Sequence, residues 1–433
     1  MQTTLPVRAI WILPMILPAF FAVSMCVELR TEYEWKYFEY KYDIGRKDQW
    51  KEMYNYRTLI PTDFLRVSEN KTLIATPQAR NQNDISRLSR ISAESSDSGP
   101  LLEPYPSNAW HITFFYLYCP KITSVSKIFM DDCNRIWVVD SGKLRDLQIC
   151  PPQILAFDAD TDELVEKFVI PMELARNSKT RRPGRLQIQF VETKDSCSKT
   201  WVYVGDPEGY GMVIWDGKDV WRLENDEVYG PDKTATTFDV DGQRFDQEVG
   251  ASGFVVIPPG FLHEDYMMLR PVASQKAYAV KVEDLHNSKD GKPVTYYKGN
   301  VTLPSQELTR AFSESGALIG SLASQSALSC WYPENPLAAE YIGIPLRDPV
   351  ALQYAVSGKI VRGKGSRSGD EEFWILSTRN QRFATNTVNF NETNFRIMSV
   401  NVAELINGTV CEPSGGTPKE STIEDKFFFK MEN

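Results

Sequence analysis

Short runs of β-branched and aromatic residues alternate with turns of Asp, Gly, Asn and Pro along most of the chain. Such runs predict short strands, and there is little of the three-to-four-residue apolar repeat that marks a helix. The clearest unit is a four-strand meander over residues 122–171, with strand sequences ITSVSKIFM, RIWVVD, QILAFD and ELVEKFVIP. The pattern therefore predicts an all-β protein.

A second meander, residues 186–224, repeats the first. Both carry a Cys in the first turn, Cys133 and Cys197, and their second strands contain Trp137 and Trp201. Four strands repeated at this spacing are typical of a β-propeller blade, although the pattern alone also fits a β-sandwich. Weaker copies occur around GFVVIPP and EEFWILS, which favours the propeller.

Two segments lack the strand pattern. Residues 81–100 are polar and Ser-rich, and the chain after Pro413 resembles them. Both predict irregular surface loops. We therefore predict a single propeller domain over residues 27–412 and a polar tail over residues 413–433.

The N-terminus has the features of a secretory signal, since Arg8 precedes an apolar run over residues 9–23 that ends among small residues. The run is shorter than the ~20 residues of a membrane span, and Pro14 and Pro18 interrupt it. It predicts a signal peptide over residues 1–26 and a secreted, extracellular protein with no membrane span after removal of the signal. A retained signal anchor is the alternative.

Six cysteines follow Cys26, and an even number in an exported chain predicts disulfides. Their wide spacing and the presence of only three histidines argue against a metal site. Asn-X-Thr sequons predict N-glycosylation at Asn70, Asn300, Asn391 and Asn407.

Charge and motifs exclude several functional classes. A formal net charge of -9 argues against nucleic acid as a partner, whereas it could attract a small cation. The chain has no GxSxG elbow, so a hydrolase is not indicated. It also has no phosphate-binding Gly-rich loop and no dinucleotide fingerprint, so we predict no cofactor.

Several segments resemble the insect yellow / major royal jelly protein family: GPLLEPYPSNAWH, ITSVSKIFMDDCNRIWVVDSG, QICPPQILAFD, WVYVGDPEGYGMVIWD, SCW and VNFNETNFRI. The resemblance covers nearly the whole mature chain and implies six four-stranded blades, secretion and an insect source. Members of the family include dopachrome-converting enzymes of melanin formation, binders of biogenic amines in the propeller channel, and proteins of cuticle, eggshell or food. The fold does not choose among these roles.

The chain departs from the family pattern at two places. Members usually carry an Asn-Arg pair at the end of a late strand, and the Asn belongs to the amine pocket of salivary members; here Thr378 precedes Arg379. A Thr hydroxyl lacks the reach of an amide, so amine binding is less favoured. In GSLASQSALSCW, residues 324–326 run almost directly into Cys330, where relatives usually place about two strands. This predicts an incomplete blade, or an imperfect gene model.

Polar residues where inner strands end on one face are the candidates for ligand binding, because equivalent strand ends converge on the channel of a closed propeller. The candidates are Asp140, Ser141, Asp206, Tyr210, Thr378, Arg379 and Asn380. Carboxylates and an aromatic ring there could hold a protonated amine by ion pairing and cation–π contact. The structural alternative is that Asp140 and Asp206 bind backbone amides in turns. Dopachrome conversion would need a carboxylate base and a cation such as Arg379, but we assign no catalytic residue.

Blade topology predicts the disulfides, because a strand of about 17–20 Å separates the two faces of a blade whereas bonded cysteines need Cα atoms within about 7 Å. Cys119 and Cys150 precede the first and third strands of one blade and so lie on one face. Cys133 and Cys197 occupy the first turns of two successive blades and so lie on the other face. The remaining pair follows by elimination. The predicted pairs are Cys119–Cys150, Cys133–Cys197 and Cys330–Cys411.

The most favoured function is a non-catalytic extracellular role in cuticle, eggshell or pigmentation, because both departures fall where channel chemistry is expected. The alternatives are a channel binder of biogenic amines or catechol derivatives and a dopachrome-converting enzyme. The partners implied are extracellular matrix components or a small amine or catechol.

Overall fold

A computed structural model describes residues 27–41, 54–77, 86–111, 119, 121–362, 371–413, 421–426 and 428–431. Within these residues, five antiparallel sheets of four strands and one of five strands are arranged in a ring, which confirms the predicted six-bladed β-propeller. The predicted signal peptide, residues 1–26, lies outside the described part of the chain. No helix within the described part is both long enough and apolar enough to cross a bilayer.

The blades follow one another along the chain. Strand β1 (Arg30–Trp35) comes first, and blade 1 contains β2 (Asp63–Ser68), β3 (Lys71–Ala75), β4 (Leu88–Ser96) and β5 (Gly99–Pro104). Blade 2 contains β6 (Val125–Met130) and β7 (Arg135–Asp140), then a small hairpin of β8 (Lys143–Leu144) and β9 (Leu147–Gln148), then β10 (Gln153–Asp158) and β11 (Leu164–Val169). Blade 3 contains β12 (Gln187–Lys194), β13 (Lys199–Asp206), β14 (Gly211–Trp215) and β15 (Val220–Glu224).

The hairpin of β16 (Thr237–Val240) and β17 (Gln243–Asp246) separates blades 3 and 4. Blade 4 contains β18 (Val255–Ile257), β19 (Tyr266–Leu269), β20 (Tyr278–Lys281) and β21 (Tyr296–Gly299). Blade 5 contains β22 (Glu307–Phe312), β23 (Leu318–Leu322), β24 (Ala327–Trp331) and β25 (Gly343–Arg347). Blade 6 contains β26 (Ala355–Arg362), β27 (Glu371–Ser377) and β28 (Phe395–Asn401), and β29 (Phe428–Lys430) comes last.

In the part of the chain that the structure describes, helices are few and short. The α-helices are Asp226–Tyr229, Val282–Asn287, Asn380–Ala384 and Val402–Ile406. The 3-10 turns are Tyr56–Thr58, Asn108–Trp110, Ser288–Asp290, Ala339–Tyr341 and Glu424–Lys426.

The N-terminal strand closes the ring. β1 pairs antiparallel with β28, with Arg30 opposite Ser399 and Trp35 opposite Phe395, and so becomes the outermost strand of blade 6. Trp35 is buried against Phe38 and Phe395. Because the first strand of the chain completes the sheet of the last blade, the ring cannot open without breaking that sheet.

The hydrophobic core lies between adjacent blades. Between blades 2 and 3, a cluster of buried side chains includes Trp137, Ile154, Ile188, Val202 and Val213. Second strands such as β7 and β13 read as nearly continuous apolar runs because neighbouring blades cover both of their faces. The outermost strand β11 has mostly exposed side chains, since water covers its outer edge.

Blade 5 is complete, so the predicted incomplete blade is wrong. Residues 324–326 lie in the turn between β23 and β24, and Cys330 and Trp331 end β24. β25 then completes the sheet by pairing with β24. Strands of five residues, rising about 3.3 Å each, are long enough for a blade, so the short sequence accommodates them.

The two segments predicted as irregular loops also contain strands. Residues 88–100 contribute β4 and the start of β5, the outer strands of blade 1, where polar side chains can face water. The chain beyond residue 412 adds β29 as a fifth strand to blade 4, with Phe428 opposite Gly299. Phe428 and Ile423 are fully buried there. The folded unit therefore extends past the predicted boundary at residue 412, because these apolar side chains cover the edge of blade 4.

Disulfides occur on both faces of the ring. We call the face with the turns between first and second strands the lower face, and the face where second strands end the upper face. The bonds have Cα separations of 5.4, 5.9 and 6.0 Å and are the predicted pairs, Cys119–Cys150, Cys133–Cys197 and Cys330–Cys411. The first lies at the upper face of blade 2, the second joins blades 2 and 3 at the lower face, and the third joins blade 5 to the chain after blade 6.

Candidate functional site

The seven candidate residues form three groups on the upper face. Asp140 ends β7 in blade 2 and Ser141 follows it, while Asp206 ends β13 in blade 3 with Tyr210 in the following turn. Residues 378–380 follow β27 in blade 6. Blades 2 and 3 are neighbours, whereas the ring places blade 6 opposite blade 3. The structure therefore brings the first two groups together and holds the third apart from them.

Asp140 is fully buried and hydrogen-bonded through both oxygens. Its Oδ1 accepts the backbone N–H of Ser124 at 2.8 Å and that of Gly142 at 3.1 Å. Its Oδ2 accepts Nε2 of Gln153 at 3.1 Å. Burial raises the pKa of Asp140, and these hydrogen bonds oppose the rise. The geometry matches the structural alternative, a carboxylate that fixes the turn after β7 to the start of blade 2.

Asp206 occupies the equivalent position in blade 3 and is also fully buried. Its Oδ1 accepts the N–H groups of Arg185 and Gly209 at 2.8 and 2.9 Å, and its Oδ2 accepts Nη1 of Arg222 at 2.9 Å. A Cβ at Gly209 would lie 2.2 Å from Oδ2, so the turn needs a glycine there. Burial raises the pKa of Asp206, while Arg222 and the backbone donors oppose the rise.

A charged network connects the first two groups. Glu208 accepts Nζ of Lys143 from blade 2 at 3.0 Å and Nε of Arg185 from blade 3 at 2.6 Å. Burial acts to raise the pKa of Glu208, but Arg185 and Lys143 outweigh it and hold that pKa below its usual range. The hydroxyl of Ser141, which is buried, accepts the N–H of Lys143 at 3.4 Å. The network fixes the two turns relative to each other.

Tyr210 is the partly exposed aromatic ring of this group. Its φ of 56° places it in the left-handed region, and the guanidinium of Arg182 lies 4.4 Å from its ring centroid. Burial raises the pKa of the Tyr210 hydroxyl. The face of this ring thus already has a cation from the protein beside it.

The third group packs around Tyr354. The Thr378 hydroxyl is buried and lies 3.4 Å from the carbonyl oxygen of Tyr354. Arg379, at φ 44°, is buried and pairs through Nη1 with Glu392 at 3.1 Å. Burial raises the pKa of Tyr354 to about 12. Hydrogen bonds with Asn380 and with Gln247, which directly follows β17, oppose that rise.

The hairpin of β16 and β17 reaches this third group from the connection between blades 3 and 4. Gln243 accepts the hydroxyl of Thr385 at 2.9 Å, and Phe238 is buried in a cluster with Leu308 and Tyr354. The hairpin therefore crosses the upper face and covers the inner ends of blades 5 and 6.

The innermost strands place charged side chains at the ring centre. Asp63 is fully buried and accepts the N–H of Ile128 at 2.8 Å and Nζ of Lys359 at 3.0 Å. The hydroxyl of Ser357 also donates to Asp63. Burial lowers the pKa of the neighbouring Lys127. Three blades are thus joined at the centre by charged and polar groups.

A cavity of about 320 Å³ opens on the lower face between blades 3 and 4. It is lined by Lys194, Pro259, Glu264, Asp265, Lys281, Val282, Glu283 and His286. Beside it, the Tyr203 hydroxyl donates to Glu192 at 2.7 Å, and Glu192 lies 2.9 Å from Nε2 of His286. None of the seven candidates lies here. In the described ranges, no group of three His, Cys, Asp or Glu side chains could hold a metal ion.

Comparison with known proteins shows the family of this chain. A model of the family described as major royal jelly protein matches residues 123–411. The chain belongs to the major royal jelly protein family. It is 32% identical over 395 residues to major royal jelly protein 9 of Apis mellifera, an alignment that covers 88% of this chain and 90% of the relative.

Two further relatives are similar over most of their length. Major royal jelly protein 1 of Apis mellifera is 31% identical over 406 residues, covering 90% of this chain and 91% of the relative. Dopaminechrome tautomerase of Drosophila melanogaster is 25% identical over 410 residues, covering 89% of this chain and 84% of the relative.

The sequence analysis did not predict several charged residues that pair with the candidate residues or join the blades. Lys143 and Glu208 lie within two residues of predicted candidates, and a search extended past each strand end would have found them. Arg222 is different, because it lies in the outermost strand of its blade and reaches inward to Asp206. Asp63 and Lys359 are 296 residues apart and meet only because the ring closes.

Proposed function

We propose that this protein has a non-catalytic extracellular role, in cuticle, eggshell or pigmentation. One observation carries the proposal: Asp140 and Asp206, the carboxylates at the upper strand ends, are fully buried, and both oxygens of each accept donors from the chain itself. A general base must come within hydrogen-bond distance of the proton that it removes. These two carboxylates would have to give up structural bonds to do so, or to hold an ammonium ion.

The other candidates support the same proposal. Ser141, Thr378 and Arg379 are buried, which leaves Tyr210 and Asn380 as the members of the set with partly exposed side chains. Two separated polar groups, one of them already beside Arg182, make a poor site for a small amine. The buried polar groups of the upper face thus mainly hold the turns of the chain in place.

Extracellular location is part of the proposal. Three disulfides are typical of proteins that fold in an oxidising compartment. The sequon residues are exposed and therefore accessible to glycosylation: Asn70, Asn300, Asn391 and Asn407. An exported, glycosylated propeller could present its outer strands to matrix components.

A second candidate function is conversion of a dopachrome-like substrate. It is favoured by the similarity to Dopaminechrome tautomerase over 89% of this chain. Such chemistry would need groups other than the two buried carboxylates. Arg379, the cation that we considered for the developing charge, is paired with Glu392.

The deciding experiment follows dopaminechrome consumption by absorbance with the purified, secreted protein, using the Drosophila enzyme as the positive control. We expect the spontaneous rate. Calorimetric titration with dopamine and serotonin is expected to give no saturable heat. Faster consumption would overturn the non-catalytic proposal, and saturable heat that Tyr210→Ala removes would show amine binding at the upper face.

A further inference from the structure

Three charged side chains are buried together between blades 4 and 5. Arg270 directly follows β19, while Glu307 and Arg310 belong to β22, and their exposed fractions are 4%, 8% and 6%. Nη2 of Arg310 lies 3.0 Å from Oε2 of Glu307. Nε of Arg270 lies 3.8 Å from the same oxygen, which is too far for a hydrogen bond. One carboxylate therefore faces two guanidinium groups.

The cluster carries one uncompensated positive charge. Among the described residues, the ionisable groups that act on Arg270 are Glu307, Arg310 and Tyr278, and burial raises the pKa of Tyr278, so that its hydroxyl is neutral. Blade 3 shows the balanced case, because the equivalent strand end carries Asp206, which pairs with Arg222. In blade 4 an arginine follows the equivalent strand, and the carboxylate that acts on it, Glu307, belongs to blade 5.

Arg270 also has unused donors. Its Nε and Nη1 are buried and have no acceptor within the described part of the chain. Buried polar groups in folded proteins are nearly always hydrogen-bonded, and a guanidinium keeps its proton at any ordinary pH. The side chain is therefore both charged and unsatisfied.

The side chain of Arg270 also lines a cavity. It has a volume of about 30 Å³ and is lined by Arg270, Glu307, Arg310 and Ser329, with apolar side chains around the remainder. The Ser329 hydroxyl is directed to Glu307, at 3.3 Å, and offers no further negative charge. One water needs roughly 10–15 Å³, so the cavity has room for a monatomic ion.

We infer that this cavity is a binding site for a small halide anion, such as chloride, held by the Arg270 guanidinium between blades 4 and 5. A water molecule would accept the free N–H groups but would leave the buried charge uncompensated, which a low-dielectric interior disfavours. An anion satisfies both requirements at once. Its binding would stabilise the interface between the two blades.

The test measures thermal unfolding of the full secreted protein by tryptophan fluorescence. Chloride replaces gluconate at constant ionic strength, since gluconate is too large for the cavity. A ligand that binds only the folded state raises the melting temperature in proportion to the logarithm of its concentration above the dissociation constant. We expect such a rise for chloride and for bromide. A melting temperature that does not depend on chloride would overturn the inference.

Variants separate this site from a general salt effect. Arg270→Gln removes the uncompensated charge and is expected to abolish the chloride dependence. Glu307→Gln adds a further net positive charge and is expected to steepen it; a weaker dependence would contradict the inference. Arg135→Gln is the matched control, since Arg135 pairs with Asp131 in blade 2 and should leave the dependence unchanged.

A direct observation keeps the inference testable if a variant fails to fold. Crystals of the wild-type protein grown in bromide should show an anomalous scattering peak within hydrogen-bond distance of Arg270. A cavity that contains only water, with no peak, would overturn the assignment.

Discussion

Replacing Asp206 by Asn tests the structural role of the upper strand-end carboxylates. Asn keeps the shape of the side chain and one acceptor oxygen for the N–H groups of Arg185 and Gly209. It places an amide N–H₂ where Asp206 now accepts Arg222, so two donors face each other. The substitution thereby leaves a buried guanidinium without one of its carboxylates.

The magnitude follows from the remaining partners of Arg222. Removing one partner of a buried ion pair costs about 3–5 kcal/mol. Arg222 retains Glu224 at 2.7 Å and the carbonyl oxygens of Leu174 and Gly209 at 3.0 Å. We therefore expect a loss of about 3 kcal/mol, at the lower end of that range.

The assay is urea unfolding of the disulfide-intact protein, followed by tryptophan fluorescence and extrapolated linearly to water. Asp140→Asn is the matched comparison, because Asp140 has only neutral donors as partners; we expect a smaller loss of about 1–2 kcal/mol. Asp146→Asn is the surface control, since Asp146 is fully exposed and 3.7 Å from Arg185. It should leave stability unchanged.

The reasoning fails if Asp206→Asn is as stable as the surface control. That result would mean that the carboxylate of Asp206 is not needed by Arg222 and is free to serve a ligand. A stable variant that also lost binding of an amine would directly favour the channel-binder alternative.

Three further substitutions probe other parts of the ring. Serine at both Cys330 and Cys411, 81 residues apart in sequence, should lower stability by about 4–5 kcal/mol in the chain-entropy estimate; unchanged urea unfolding would contradict this. Burial, reinforced by Arg87, lowers the pKa of His111 to about 3, so the folded state holds the neutral ring and loses stability as the pH falls from about 6.5 towards 3. Replacing His111 by Gln should flatten that pH dependence of unfolding, and an unaltered slope would refute the assignment. Phe238→Ala should cost about 3–5 kcal/mol because this side chain of the hairpin is fully buried against blades 5 and 6, whereas Val350→Ala, at an exposed site, should cost little; equal effects would show that the hairpin does not hold the upper face.

Much of the fold could be predicted from local pattern. The strand runs around Trp137 and Trp201 repeat closely, and each second strand is apolar because two neighbouring blades cover it. Two of the three disulfides followed from strand direction, since antiparallel strands alternate between faces and Cys133 and Cys197 share the first-turn position; the pair Cys330–Cys411 followed by elimination. These features depend on neighbours in sequence or on the repeat itself.

The errors occurred where local pattern is ambiguous. The polar strand β4 belongs to the outer half of blade 1, where one face meets water, so its Ser-rich sequence resembles a loop. Blade 5 seemed incomplete because its strands β23 and β24 have only five residues each and a short turn joins them. In the tail, Phe428 is buried only because the edge of blade 4 is available to cover it.

The sequence by itself determined the four-strand β-meanders, because alternation and repeat length are local properties of the chain. The resemblance to the family supplied the closed ring of six blades, and strand direction within those blades then gave the face on which the candidate side chains emerge. Only the tertiary structure decided which of those side chains are already paired with other groups of the protein. Asp206 is neutralised by Arg222 from the far edge of its blade, whereas Arg270, which follows the equivalent strand one blade further, shares the carboxylate of Glu307 with Arg310. Charge balance in a buried site depends on which side chains the folded ring brings together, and the sequence positions of those side chains do not reveal it.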